Sequence, residues 1–322
     1  MRARVVGLAV IGLGGLVLAA GITADGWVPL SAVELRLDES FETVALGAQV
    51  SYLDPVPVAP VTSEDVSVSV RVRGDEDAGD AGDDTAVWEY LATIDDANGT
   101  LVGTSSAVAC LDRRSAEAVD CVAESVDGER TDIQGLTVRF PSDTEQRDYD
   151  LWDTTVRQSL PARFVGSERL DGLPVYRFEQ EVPAQVIRTV PVPGTLVGSS
   201  EAEFPAEVVH SNSRSLLVEP LSGVIVSVEE SPLTELRGPD GAAGAVLLAG
   251  TFGWSDETVE DAVARAEDIR DERAELRPLV RWTGIGAGTA LLAAGALLAA
   301  RRRPARPDHA QDEPARVPVP SA

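Results

Sequence analysis

The sequence predicts a β-rich α+β ectodomain of antiparallel sheets, with closure into a barrel-like core left open. N- and C-terminal transmembrane helices are expected to anchor it. Three observations predict this class. Residues 282–300 carry no charge and run straight into Arg301, Arg302 and Arg303. Residues 5–24 form a second uncharged run, preceded by Arg2 and Arg4. The 257 residues between these runs are rich in short alternating apolar segments punctuated by turn residues, the pattern of half-buried strands.

The C-terminal run sets the topology. Its nineteen residues, at about 1.5 Å each, nearly match a hydrocarbon core of about 30 Å. Trp282 stands where an interfacial aromatic belongs, and the three arginines make a stop-transfer cluster retained in the cytoplasm. The first run competes with a cleaved signal peptide, because its n-region is basic. It exceeds the usual h-region of roughly 7–15 residues, however, and Ile22-Thr23-Ala24 is not an A-x-A ending. An uncleaved span is therefore expected. Both basic flanks then face the cytoplasm, and residues 25–281 lie outside.

The charge distribution agrees. Of 53 acidic residues, 50 fall between positions 25 and 281, and the net charge of the chain is −26. So acidic a surface repels phosphates, and no basic stripe interrupts it, which argues against a nucleic-acid partner. The chain contains no lysine but is rich in Ala, Val, Gly and Arg, the usage of a high-GC coding sequence.

Taken in order, residues 32–52 offer short alternating runs such as Val33-Glu34-Leu35-Arg36-Leu37, and Pro55, Pro57 and Pro60 break the pattern. Val66, Val68, Val70 and Val72 then share one face of a strand. Residues 74–84 pack six acids among Gly and Ala. It lacks the acid at the fifth position of a calcium loop, where Gly79 stands instead, and reads as a solvated loop. Residues 85–102 and 105–119 read as strands, with turns at Asn98-Gly99 and Ser115-Ala116. If Ser115-Ala116 is a two-residue hairpin loop, Cys110 faces Cys121 at a hydrogen-bonded position, unless the register differs. These are the only cysteines, and outside the cytoplasm they are expected to form a disulfide.

Strands continue at residues 135–140, at 163–182 with a turn at Asp171-Gly172, at 186–192, and at 215–229 with a turn at 220–223. Gly99-Thr100-Leu101-Val102-Gly103 recurs as Gly194-Thr195-Leu196-Val197-Gly198, too short a repeat to establish duplication. At residues 255–277 the period changes. Val259, Ala262, Val263, Ala266, Ile269 and Leu276 form one stripe, Ser255 suits the N-cap, and Pro278 is expected to end the helix. The tail, residues 301–322, reads as disordered.

Signatures of catalysis are absent. His309 lies in the tail, so His210 stands alone in the ectodomain and cannot form a metal cluster. There is no G-x-S-x-G elbow and no P-loop. Neither an enzyme, a cofactor nor a metal is expected. Trp88 and Arg177 invite a ligand-contact role, but such strand residues more often serve cross-strand packing. Gly284 and Gly288 form a G-x-x-x-G, with Gly295 further along the same stripe. They predict close helix packing, and the first run, with Gly7, Gly14 and Gly15, is the expected partner.

Several strings resemble an actinobacterial membrane-protein family catalogued as PorA-like, or porin PorA. They are Asp83 to Trp88, Leu111 to Val119, Glu124 to Glu129, Tyr149 to Asp153, Gly172 to Phe178 and Val218 to Val224. The resemblance covers nearly the whole chain, spans included. Two of the strings, Gly172 to Phe178 and Glu219 to Gly223, are also similar to motifs of class B scavenger receptors. Those receptors have two spans and a β-rich ectodomain with a lipid-conducting tunnel. The resemblances imply a non-enzymatic envelope protein that binds or relays membrane lipid or envelope glycolipid. The alternatives are a porin-like channel subunit, or an accessory subunit of an envelope glycolipid-synthesising enzyme that docks through the spans.

Overall fold

The computed structural model describes residues 2–22, 34–54, 58–63 and 65–300. The cleavage-site reading at Thr23-Ala24, Pro55 and Pro57, His309 and the disordered tail lie outside the described residues. The chain divides into two compact units, Pro29–Glu275 and Met1–Val28 with Leu276–Ala322.

The larger unit is built on one 14-stranded antiparallel sheet. Its strands are β1 (Ser40–Asp54), β2 (Ala59–Ser63), β3 (Val66–Gly74), β4 (Thr85–Asp95), β5 (Leu101–Asp112), β6 (Ser125–Val126) and β7 (Glu129–Arg130). They continue with β8 (Tyr149–Asp153), β9 (Gln158–Leu170), β10 (Leu173–Pro193), β11 (Glu203–Val218), β12 (Ile225–Glu230), β13 (Leu233–Arg237) and β14 (Ala243–Trp254). The spatial order is β7-β6-β5-β4-β3-β1-β14-β12-β11-β10-β9-β8, with β13 joining β11 and β14, and β2 joining β1.

No continuous ladder closes this sheet into a barrel, yet its two ends are stitched together. Single bridges join Leu111 to Ala118, Glu117 to Leu136, and Leu136 to Leu151 of β8. Leu136 N donates to the Asp150 carbonyl at 2.8 Å, and Trp152 N donates to the Leu136 carbonyl at 2.7 Å. The sheet is thereby held in a curl around a core containing Trp88, Leu111, Leu136, Phe140, Leu151 and Phe178. Phe140 lies 5.3 Å from Tyr149 and 4.7 Å from Phe178, centroid to centroid. Burying side chains of this size contributes about 1.5–3 kcal/mol each.

The period-2 alternation of strands feeds two apolar layers. Ile225 and Phe178 point into the curl, whereas Leu173, Val175, Val224 and Val226 pack outward against a helix. That helix is α2 (Asp256–Ala300). Ser255 caps it as expected, its Oγ accepting from Thr258 N at 3.2 Å. Ala262 and Ala266 of the predicted stripe are fully buried against the sheet, with Val263 and Ile269 beside them.

Several expectations are corrected. Pro278 does not end α2, which runs 45 residues without a break. Residues 277–281 offer no glycine C-cap, and a proline on its own removes one hydrogen bond without halting the helix. Residues 135–140 make two isolated bridges, both at Leu136, and residues 34–39 make no strand. Strand β5 ends at Asp112, because Asp112 Oδ1 accepts from Arg114 N at 3.0 Å and Ser115 N at 2.7 Å and turns the chain early. The second Gly-Thr-Leu-Val-Gly forms a 3-10 turn at Gly194–Val197 rather than a strand entry, so the two copies are not structural equivalents. β2, β6, β7, β8, β13, β14 and the first half of β11 are missing from the sequence reading, and Pro60, expected to break the pattern, pairs with Leu53 inside β2.

In the smaller unit, α1 (Arg2–Ile22) lies against the C-terminal part of α2. A Cβ placed on Gly14 would stand 2.8 Å from Leu292 N, and one on Gly288 would stand 2.5 Å from Leu18 N. Gly295 is buried and Gly284 half-buried. The described residues hold one stretch long and apolar enough to cross a membrane, Arg281–Ala300, and a shorter apolar stretch at Ala9–Ala20.

Candidate functional site

Two cavities occupy the interior of the curled sheet, one of about 470 Å³ and one of about 390 Å³. They share a set of lining residues that includes Val70, Thr137, Trp152, Thr154, Arg214 and Glu230. Those residues come from β3, the bridging segment around Leu136, the end of β8, β11 and β12, so the shared girdle joins the end strand β8 to strands from the middle of the sheet. The wider cavity extends towards β4, β5 and Leu248. The narrower one extends towards Phe41, Trp88, Trp254 and the α2 residues Arg265, Asp268 and Ile269.

Arg214 organises the girdle. Its Nε donates to Glu230 Oε2 at 3.0 Å, its Nη1 to Gln180 Oε1 at 2.7 Å, and its Nη2 to Asp153 Oδ2 at 3.3 Å. Each partner is itself held. Gln180, fully buried, donates to the Leu151 and Leu160 carbonyls at 2.8 and 3.1 Å, which turns its oxygen towards the guanidinium. Asp153 accepts from Thr155 N and Val156 N at 2.9 and 3.0 Å. Glu230 also accepts from Asn212 Nδ2 at 2.9 Å. Burial works to lower the Arg214 pKa, but Glu230 and Asp153 outweigh it and hold the guanidinium above its ordinary value. The girdle is thus a fixed ion cluster with one carboxylate more than it has guanidinium groups.

His210, Asn212 and Arg214 sit at alternate positions of β11, between buried Val208 and Leu216 on the same face. His210 Nδ1 lies 2.7 Å from Thr234 Oγ1. Burial lowers the His210 pKa, Arg214 adds to the effect, and Asp153 and Glu230 oppose it. Tyr90 shares a hydrogen bond of 3.1 Å with Thr137 in the wall, and burial raises its pKa. In the narrower cavity the Arg265 guanidinium stacks 4.2 Å over the Phe41 ring, and desolvation lowers its pKa.

The residues singled out from the sequence take other roles. Cys110 and Cys121 form the disulfide, with Cα atoms 6.2 Å apart. The bridge opposite Leu111 falls at Ala118, so the register is offset from the two-residue hairpin that first paired them. Asp80 joins them in the one cluster of three ligand-type side chains among the described residues, but both sulfurs are spent in the disulfide. Asp80 instead accepts from Val122 N and Ala123 N, both at 3.1 Å. Arg177 ties strands together, donating to Ser215 Oγ at 2.7 Å and pairing with Glu168 at 2.7 Å. Trp88 lines the narrower cavity and anchors Arg36 through its carbonyl at 3.0 Å. Gly284, Gly288 and Gly295 all belong to the helical unit, outside both cavities. Sequence reading missed Trp152, Asp153, Gln180, Asn212, Arg214 and Glu230. One local signal marks three of the lining residues: His210, Asn212 and Arg214 put a polar stripe at period 2 on an otherwise apolar strand face.

The chain thus combines a β-rich unit that holds a pair of cavities with one stretch, Arg281–Ala300, long and apolar enough to cross a membrane. The chain belongs to the Porin PorA family, whose model matches residues 6–297. A relative named Porin PorA from Corynebacterium resistens is 44% identical over 48 residues, which is 15% of this chain and 12% of that protein. Two solved structures are similar at low scores. One, described as a lipoprotein of Parabacteroides distasonis, has 11% identity and a TM-score of 0.21, covering 68% of this chain and 94% of that one. The other, an exported protein of Bacteroides fragilis described as having a YmcC-like fold, has 8% identity and a TM-score of 0.21, covering 69% and 97%.

Proposed function

We propose that this chain is a non-enzymatic, membrane-anchored envelope protein of the porin type, with a polar-necked passage for small solutes through its curled sheet. The observation that carries the reading is the pair of cavities sharing one charged girdle around Arg214 and Glu230. Membership in the Porin PorA family supports it. In this reading α1 and the apolar end of α2 both cross the plasma membrane, with their basic flanks in the cytoplasm and the acidic β unit outside. Two helices cannot enclose water, so the membrane section requires several copies packed side by side. Purified full-length protein reconstituted in planar bilayers should conduct, with a preference for cations. Conductance indistinguishable from protein-free bilayers sinks the passage.

A second reading has one specific observation in its favour. The narrower cavity is walled by Phe41, Trp88, Leu216, Ile225 and Trp254, which suits the apolar part of a membrane lipid or envelope glycolipid. Mass spectrometry of the protein extracted from membranes tests it. A stoichiometric co-purified amphiphile supports the reading, and its absence after mild extraction removes it.

A further inference from the structure

Among the described residues, four buried side-chain polar atoms make no hydrogen bond, and three of them belong to lining residues of the wider cavity. They are Trp152 Nε1, His210 Nε2 and Asn212 Oδ1. The side chains are more than nine-tenths buried, at 7%, 4% and 6% exposure. The fourth atom, Glu124 Oε2, belongs to no lining residue. Buried polar atoms are nearly always satisfied, and a buried indole N–H usually finds an acceptor. Three exceptions on one cavity wall are therefore a clustered defect, of the kind that a ligand repairs.

The chemistry of the trio is specific. Trp152 Nε1 can only donate and Asn212 Oδ1 can only accept, while His210 Nε2 does either according to its tautomer. A partner that meets all three must offer both an acceptor and a donor. A hydroxyl does both, and adjacent hydroxyls do so repeatedly. The neighbouring charges do not call for an ionic partner, because Arg214 is already held by Glu230, Asp153 and Gln180. An anion at Asn212 would also meet Glu230, which lines the same cavity and lies 2.9 Å from the Asn212 amide nitrogen.

We propose that Trp152, His210 and Asn212 form a subsite for an uncharged, polyhydroxylated solute of sugar or cyclitol type. The proposal rests on the reading of the wider cavity as solute-bearing and adds the class of solute. The three atoms are closed to solvent in this structure, so engagement involves a small side-chain rotation towards the cavity.

The test is calorimetric titration of the full-length protein in detergent with glucose, myo-inositol and glucose 6-phosphate. Glucose or myo-inositol is expected to bind, and the phosphorylated sugar to bind more weakly. Trp152→Phe and Asn212→Leu should each weaken binding about three- to tenfold, the worth of one hydrogen bond. The thermal midpoint of Trp152→Phe should hold or rise, since it removes a desolvated atom, whereas that of Asn212→Leu should fall, since it also takes from Glu230 the hydrogen bond of 2.9 Å. The proposal falls if neither neutral solute binds at about 0.1 M, where millimolar ligands saturate. It also falls if both variants bind as the native chain does, because trapped water then satisfies the trio. Titration in detergent needs no flux. Binding without conductance removes the passage and keeps the subsite, and conductance without binding does the reverse.

Discussion

Glu219 shows how one residue can join two layers. It is fully buried, and its Oε2 accepts from Ser222 N at 2.7 Å. Its Oε1 accepts from Leu221 N at 3.2 Å and from Arg270 Nη1 at 3.1 Å. The turn between β11 and β12 is thereby pinned to α2. Gly223 completes the turn at φ 74°, where an added Cβ would strike the Phe140 carbonyl. Glu219→Ala leaves Arg270 and two amides without their acceptor, so a loss of about 3 kcal/mol is expected on chemical denaturation of the full-length protein. A loss below about 1 kcal/mol would mean that water replaces the carboxylate.

His210 gives a second prediction at the same scale, with a definite sign. Burial lowers its folded pKa, so the unfolded chain takes up the proton first as pH falls. Its stabilising contribution is therefore present above about pH 6.5 and is lost as pH drops through the lower folded value. His210→Gln removes this titration. Between about pH 7.5 and 5.5 the variant should lose less stability than the native chain, by at most about 1.4 kcal/mol. Equal losses would show that His210 titrates normally in the folded protein.

At the scale of elements, the helical unit allows an internally controlled substitution. Gly288 meets the Leu18 backbone, whereas nothing lies within 4 Å of a Cβ built on Gly286. Gly288→Leu must push α1 and α2 apart, since backbone cannot yield as a flexible side chain does. Gly286→Leu should be silent. Crosslinking yield between cysteines introduced on the two helices of a Cys110/Cys121-free background reads the difference, and equal yields from both variants would remove glycine packing as the contact.

Elements also show what the sequence made legible. The Val66–Val72 alternation, the Asp171-Gly172 and 220–223 turns, and the Ser255 cap are local signals, and the structure follows each. β14 hid because Ala243–Trp254 is apolar without alternation and interrupted by glycines, being paired on both flanks. β10 read as two pieces because Pro183 sits at a register shift between Val182 and Gln185, where a strand absorbs a proline without ending. The girdle was illegible for a different reason. Val70 and Glu230 lie 160 positions apart and meet only when the sheet curls.

At the scale of the molecule, charge decides what a passage through the curl would select. The chain is acidic overall, with a net charge of −26, and the ion cluster at the girdle sets Asp153 and Glu230 against Arg214. A low-dielectric wall strengthens the field of that surplus carboxylate over its value in water. Glu230→Gln keeps a side chain of the same shape and a hydrogen-bond acceptor for Arg214 and Asn212, but leaves the cluster neutral. In planar bilayers at low salt, where surface charge is least screened, the cation preference of the native protein should fall towards parity. Arg214→Gln should raise it, provided the folded content is preserved by circular dichroism. If Glu230→Gln conducts with the native selectivity, ions do not pass the girdle. Any current would then run between helices of neighbouring copies, and the cavities would serve for binding alone.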